Sequence, residues 1–166
     1  MAHLPKQLRA MKRLLTIAAC LMCLMSAHAQ ELNIDSESKV VTWSKVYETS
    51  MTQDEILEYI LAYDCLDNVV THGNMIAGDI PPVMLDYRSA GYSSMKVATY
   101  IFNYNFSGRI IIRTKEGKYK AEAVNMNFGG MSLYECVEGY AFDVTAKLVM
   151  QHLEGITTFH QIENEW

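Results

Sequence analysis

The side chains that could do chemistry in this sequence are few and scattered. His152-x-Glu154, with His160 and Glu163 further on, comes nearest to a metal-ligand set. Two positions apart on a helix, however, His152 and Glu154 diverge, because helical neighbours lie three or four apart. Solvated polar positions beside an apolar stripe account for them better. His72 beside Gly73-Asn74, with acids such as Asp79 nearby, would supply the base of a small hydrolase or a metal-dependent enzyme, yet His72 also suits a plain turn. Ser93, Ser94 and Ser107 stand in no spacing to a histidine that would favour a nucleophile–base pair. There is no G-x-S-x-G elbow, H-E-x-x-H or P-loop, and Gly129-Gly130 lacks the Lys-Ser/Thr that phosphate cradling requires. Asp79, Asp86 and Asp143 fit turns and caps. No cofactor is implied.

A second kind of chemistry is electrostatic. Arg109, Arg113, Lys115, Lys118 and Lys120 crowd one short stretch, half of the 10 Lys and Arg that follow Ala29. With Tyr119 and Tyr104 interleaved or nearby, they could bind an anionic glycan, a lipid headgroup or an acidic protein. A solvated sheet face whose edge lysines discourage aggregation gives the same pattern.

The element that must position these cations is a hairpin over Arg109–Met126, RIIIRTKEGKYKAEAVNM, turning at Glu116-Gly117. A two-residue turn sets Lys115 opposite Lys118, Thr114 opposite Tyr119, Ile112 opposite Ala121 and Ile110 opposite Ala123. The last three pairs then share an apolar face, and Arg109, Arg113, Lys118, Lys120 and Glu122 the other. A three-residue loop would set Ile112 against Lys120 and Ile110 against Glu122, because a one-residue slip flips a whole strand. Gly117 supplies positive φ at low cost. A lone hairpin is at best marginally stable in water, so other elements must cover its apolar side.

Those elements follow from periodicity. Gln30–Ser38 reads as an extended arm and Lys39–Glu48 as a strand with Val41, Trp43 and Tyr47 in alternation. Thr52-Gln53-Asp54-Glu55 is a capping box for a helix to about Asp64, with Ile56, Tyr59, Ile60 and Tyr63 on one stripe broadened by Leu57 and Leu61. Asn68–His72 and Met75–Ile80 pair around Gly73-Asn74. Pro81-Pro82 interrupts the second strand or places it at an edge, and Val83–Tyr87 can resume it. Arg88–Met95 is a loop, Tyr100–Phe106 an aromatic alternating strand, and Gly108 a turn or bulge. Asp143–Glu154 is a helix that Asp143 can cap and Gly155 can end, with Ala146, Val149, Met150 and Leu153 inward. The tail Ile156–Trp166 docks through Phe159, Ile162 and Trp166. Sequential strands with segregated helices predict an α+β fold, a single antiparallel sheet with helices on one face, in the order β-α-β-β-β-β-α.

The leader bears on compartment. Met1–Ala29 has a basic n-region (Lys6, Arg9, Lys12, Arg13), an apolar run Leu14–Met25 and an Ala27-His28-Ala29 cleavage signal. A run of 12 is short of the about 20 residues that span a bilayer. Met11 could be the true start. Ile17-Ala18-Ala19-Cys20 offers the rival of a lipid anchor at Cys20, although the apolar run continues past it. Residues 30–166 then form one domain, soluble or at most tethered, in the periplasm or secreted. All 19 acids but only 10 of the 14 Lys and Arg follow Ala29, so the chain from Gln30 carries a formal charge of −9. Such a balance opposes nucleic-acid binding, which draws its affinity from Lys and Arg. Cys65 and Cys136 could form a disulfide in an oxidising compartment or remain buried thiols.

An exported leader, VVTWSKVYE, a capped helix, GDIPPVMLDYRSAGYSSM and IIIRTKEGKYKAEAVNM together resemble a family of exported bacterial domains, common in Bacteroidetes, of TBP-like fold and without a known function. Lys115–Lys120 is the most family-like piece, and the resemblance spans about residues 39–127. It implies a TBP-like α+β domain and offers no catalytic residues. The fold name describes topology and does not transfer DNA binding. Two functions remain open: a non-catalytic envelope module that binds a protein or anionic ligand through its sheet face or tail, and the small periplasmic enzyme built on His72.

Overall fold

A computed structural model describes residues 31–161. The leader, the A-x-A signal, Cys20, Ile162, Glu163 and Trp166 lie outside the described residues. Strands β1 (Glu31–Asp35), β2 (Val40–Glu48), β3 (Asp67–His72), β4 (Met75–Val83), β5 (Phe106–Lys115), β6 (Lys118–Phe128) and β7 (Met131–Ser132) form one antiparallel sheet. Its order is β1-β2-β6-β5-β4-β3, with β7 paired to β6. Helices α1 (Gln53–Ala62), α2 (Thr99–Asn103) and α3 (Phe142–Thr157) pack on one side. The α+β class and the single-sheet layout are those expected.

The central hairpin takes the expected register, Lys115 with Lys118, Thr114 with Tyr119, Ile112 with Ala121 and Ile110 with Ala123. Gly117 has φ 75°. Ile110, Ile112, Ala121 and Ala123 are fully buried under the helices with Trp43 and Ile76. The capping box of α1 is present, Thr52 Oγ1 accepting from the Glu55 amide and Glu55 accepting from the Thr52 amide. Ile56 and Ile60 enter the core, while Leu61 and Tyr63, expected on the same stripe, are exposed. Gly78 lets the chain before β3 close on the sheet: a Cβ there would lie 2.8 Å from Leu66 Cβ.

Three expectations are corrected. The polar arm is an edge strand, β1, returned to β2 by a turn in which Asp35 accepts from the Glu37 and Ser38 amides. Tyr100–Phe106 is not a strand. Its first part is α2, with Ile101 inward and the Tyr100 hydroxyl 2.9 Å from Thr145 Oγ1, and only Phe106 belongs to β5. Aromatic alternation misleads there because Tyr100 and Tyr104 are also four apart, a helical spacing. Helix α3 passes through Gly155 to Thr157, its N-cap is Ala141 without a side-chain cap, and its inward stripe is Thr145, Leu148, Val149 and Leu153. Of the two alternatives left open for the cysteines, Cys65 and Cys136 take the second, as free thiols. Cys65 lies between α1 and the edge strand β3, whereas Cys136 sits in the turn of helix after β7. Phe159 docks as expected, 7% exposed.

Candidate binding surface

With the helices on one side, the opposite face of the sheet is uncovered among the described residues. Strand alternation decides what it displays. Register puts Val70, Ala77, Ile111, Glu122 and Ser44 in one row across β3, β4, β5, β6 and β2. On one side of that row lie Asp67, Asp79 and Arg109; on the other lie His72, Met75, Arg113, Lys120 and Val46. Arg109, Arg113, Lys115, Lys118 and Lys120 do share this face and its turn. Tyr119 does not: its position in the register turns it inward, where it is 2% exposed and stacks on Tyr47 at 4.8 Å. The Tyr119 hydroxyl donates to the Thr157 carbonyl at 2.7 Å and accepts from the Phe159 amide at 3.3 Å, so it holds the end of α3 to the sheet. Tyr104 is half exposed but lies over Gly129, away from the turn.

The cations are largely neutralised where they stand. Arg109 bonds Asp79 at 2.6 Å, Arg113 bonds Glu122, and Lys120 reaches the other Glu122 oxygen at 2.8 Å. Glu48 lies opposite Lys118, and Glu116 forms the turn. With Asp67 beside Asp79, five positive groups thus meet five negative ones, and the face is balanced. An anion at Arg109, Arg113 or Lys120 would have to displace these pairs.

One corner of the face is built differently. Three consecutive strand pairs lose register there: β3–β4 between Asp67 and Val70, β4–β5 between Ile80 and Val83, and β5–β6 between Ser107 and Arg109. Bulges bend and twist strands, and they recur beside functional sites. Asn68 and Asn125 occupy left-handed conformations in two of them, with φ 49° and 54°. The bulge at Asn125 also reverses the parity of β6, so Met126 and Phe128 are buried and Asn127 turns outward. The result is a groove of about 580 Å³. Within it Asp79 accepts from Asn68 Nδ2 at 3.0 Å as well as from Arg109. The Asn68 carboxamide, and after it the Arg109 guanidinium, hold the Asp79 carboxyl below its ordinary range against partial burial. Ser107 Oγ donates to Asn127 Oδ1 at 3.1 Å. Sequence marks Gly108 as a possible bulge but gives no sign of Asn68, Asn125 or Asn127 as partners, since their meeting depends on three strands slipping at one level.

The groups considered for catalysis do not assemble. His72 pairs with Met75, and Asp79 lies four positions further along β4, roughly 13 Å at the strand rise. Asp79 is moreover engaged by Asn68 and Arg109. Among the described residues no three His, Cys, Asp or Glu side chains are placed to hold a metal. His152 is not a solvated position as expected: its Nε2 is buried without a hydrogen-bond partner, and its ring meets Phe106 edge-on at 5.9 Å. Burial lowers its pKa from the ordinary 6.5. The unfolded chain takes the proton near pH 6.5 and the folded chain only below it, so stability is level above 6.5 and falls as the pH drops through that value toward the folded one. Chemical denaturation across this range should show the slope in the natural chain, and His152→Leu should flatten it.

No protein-family model matches the chain, and no curated protein matches it. Among solved structures it is similar to a TBP-like protein from Parabacteroides distasonis, with 11% identity, a TM-score of 0.43, and coverage of 74% of this chain and 94% of that one. A likeness of this degree carries nothing about ligand or activity. The architecture of this chain rests on its own strand pairing.

Proposed function

We propose that this chain is an exported, non-catalytic binding module of the cell envelope, which holds a ligand of little net charge on the open face of its sheet. The observation that carries this reading is the composition of that face. Val70, half exposed, and Ile111, partly so, cross its middle on either side of the buried Ala77, and cations already paired with Asp79 and Glu122 flank them. An apolar centre with a polar, internally satisfied margin is the anatomy of a contact surface. Export rests on the Met1–Ala29 leader and on the acidic balance after it.

Two measurements test the reading. Intact mass of the protein recovered from the envelope fraction should begin at Gln30, and a mass retaining residues 1–29 contradicts export. Ile111→Arg adds a third guanidinium between Arg109 and Arg113 without touching the core. Capture of a component from envelope extract should fall at least tenfold with the thermal midpoint nearly unchanged. Capture that survives Ile111→Arg removes the open face from the account.

A further inference from the structure

We infer that the corner groove is a binding site for a neutral, polyhydroxylated ligand, namely a glycan. The inference rests on the binding-module reading and names the ligand class for one part of the same face.

The polar residues that line it carry planar, two-headed groups: Asn68, Asn125 and Asn127, the carboxylates of Asp67 and Asp79, and Arg109. Such groups accept from or donate to two neighbouring hydroxyls at once, which is what adjacent sugar carbons present. Asp79 is fixed in place by Asn68 and Arg109, so its orientation does not have to be bought on binding. Arg109 uses one terminal nitrogen for Asp79 and Asn68 donates to it through Nδ2, whereas the Asn127 carboxamide is already engaged, its Oδ1 accepting from Ser107 Oγ and the Gly130 amide and its Nδ2 donating to the Asn125 carbonyl. On Arg109 and Asn68 donors and acceptors therefore remain for a ligand.

Charge narrows the class. Arg109 pairs with Asp79, while Asp67, opposite Asp79 across β3–β4, adds a second carboxylate to the lining, so the groove carries an excess of negative charge that opposes an anion. Pro82, exposed at the rim, supplies the apolar surface that a sugar's C–H face requires. The volume, about 580 Å³, suits one or two sugar rings. Backbone economy points the same way. Glycine would occupy the left-handed positions 68 and 125 with less strain, yet both are asparagines that line the groove.

Those φ values also make the test clean. In N68G/N125G the bulges keep a residue suited to them, and only the carboxamides are lost. The 15N-labelled natural chain and the double variant would be titrated with maltohexaose, cellohexaose, mannohexaose and chitohexaose, with hexagalacturonate as the acidic counterpart. At least one neutral sugar should shift the Asn68, Arg109 and Asn125 amides of the natural chain, and N68G/N125G should weaken that binding at least tenfold at an unchanged thermal midpoint. The groove assignment is overturned if no neutral sugar shifts those amides, if the double variant binds as well as the natural chain, or if hexagalacturonate alone binds. The shift map of the natural chain decides even if the variant unfolds. Loss of extract capture in Ile111→Arg, with no sugar bound, sinks the glycan assignment and leaves the module reading standing. Sugar binding with capture intact in Ile111→Arg supports the groove and removes the wider face.

Discussion

Trp43→Ala should destabilise the protein by about 3–5 kcal/mol, the range for removing a large buried aromatic. Trp43 is completely buried on β2, opposite Ala123 and under the helices. Its small neighbours on β6, Ala121 and Ala123, have no side chains long enough to fill the space it leaves. A loss of this size should lower the thermal midpoint by roughly 10 °C or more in a domain of this length. Trp43→Phe is the informative companion. The indole Nε1 is buried without a hydrogen-bond partner, and an unmet buried donor costs about 1–3 kcal/mol. Phenylalanine gives up some packing but deletes that donor, so its loss should be well below that of alanine. Equal losses for the two variants, measured by urea denaturation, would mean that the indole nitrogen is satisfied in solution.

The central hairpin was legible in the sequence because a single physical rule decides it. Placing Ile110, Ile112, Ala121 and Ala123 together leaves one register, and Glu116-Gly117 is the turn that permits it. The capping box of α1 is legible for a similar reason, since its two hydrogen bonds are local. Legibility fails where a distant partner makes the choice. Residues 100–106 alternate like a strand, yet Thr145 on α3 and the space over Gly129 take up Tyr100 and Tyr104 from a helix. Gly155 does not stop α3, because Thr157 beyond it is held by Tyr47 and Tyr119 on the sheet.

The candidate site shows the same division. Which side each cation of β5 and β6 occupies was readable from alternation, and by that alternation Tyr119 belongs inward. That the cations are neutralised was not readable, because Asp79 lies on β4 and meets Arg109 only through the β4–β5 register. The groove was hidden for a stronger reason. It exists because three strand pairs slip at the same level, and nothing local to Asn68 or Asn125 records the slip of the others.

Every functional statement depends on the sheet having one closed face and one open face. Two adjacent residues of β5 separate them: Ile112 is completely buried, and Ile111 points the other way beside Ala77. Ile112→Asp removes a packed side chain, at about 2–5 kcal/mol, and asks the core to take a carboxyl without a partner, at about 1–3 kcal/mol more. Ile111→Asp places the same carboxyl between Arg109 and Arg113 at the surface and should cost about 1 kcal/mol, the span of strand preference. Thermal midpoints of the two variants, measured side by side, test the claim most directly. Ile112→Asp should lose its cooperative transition or melt far below the natural chain, while Ile111→Asp melts close to it. Comparable midpoints, or the reverse order, would contradict the assignment of faces and the binding surface built on it.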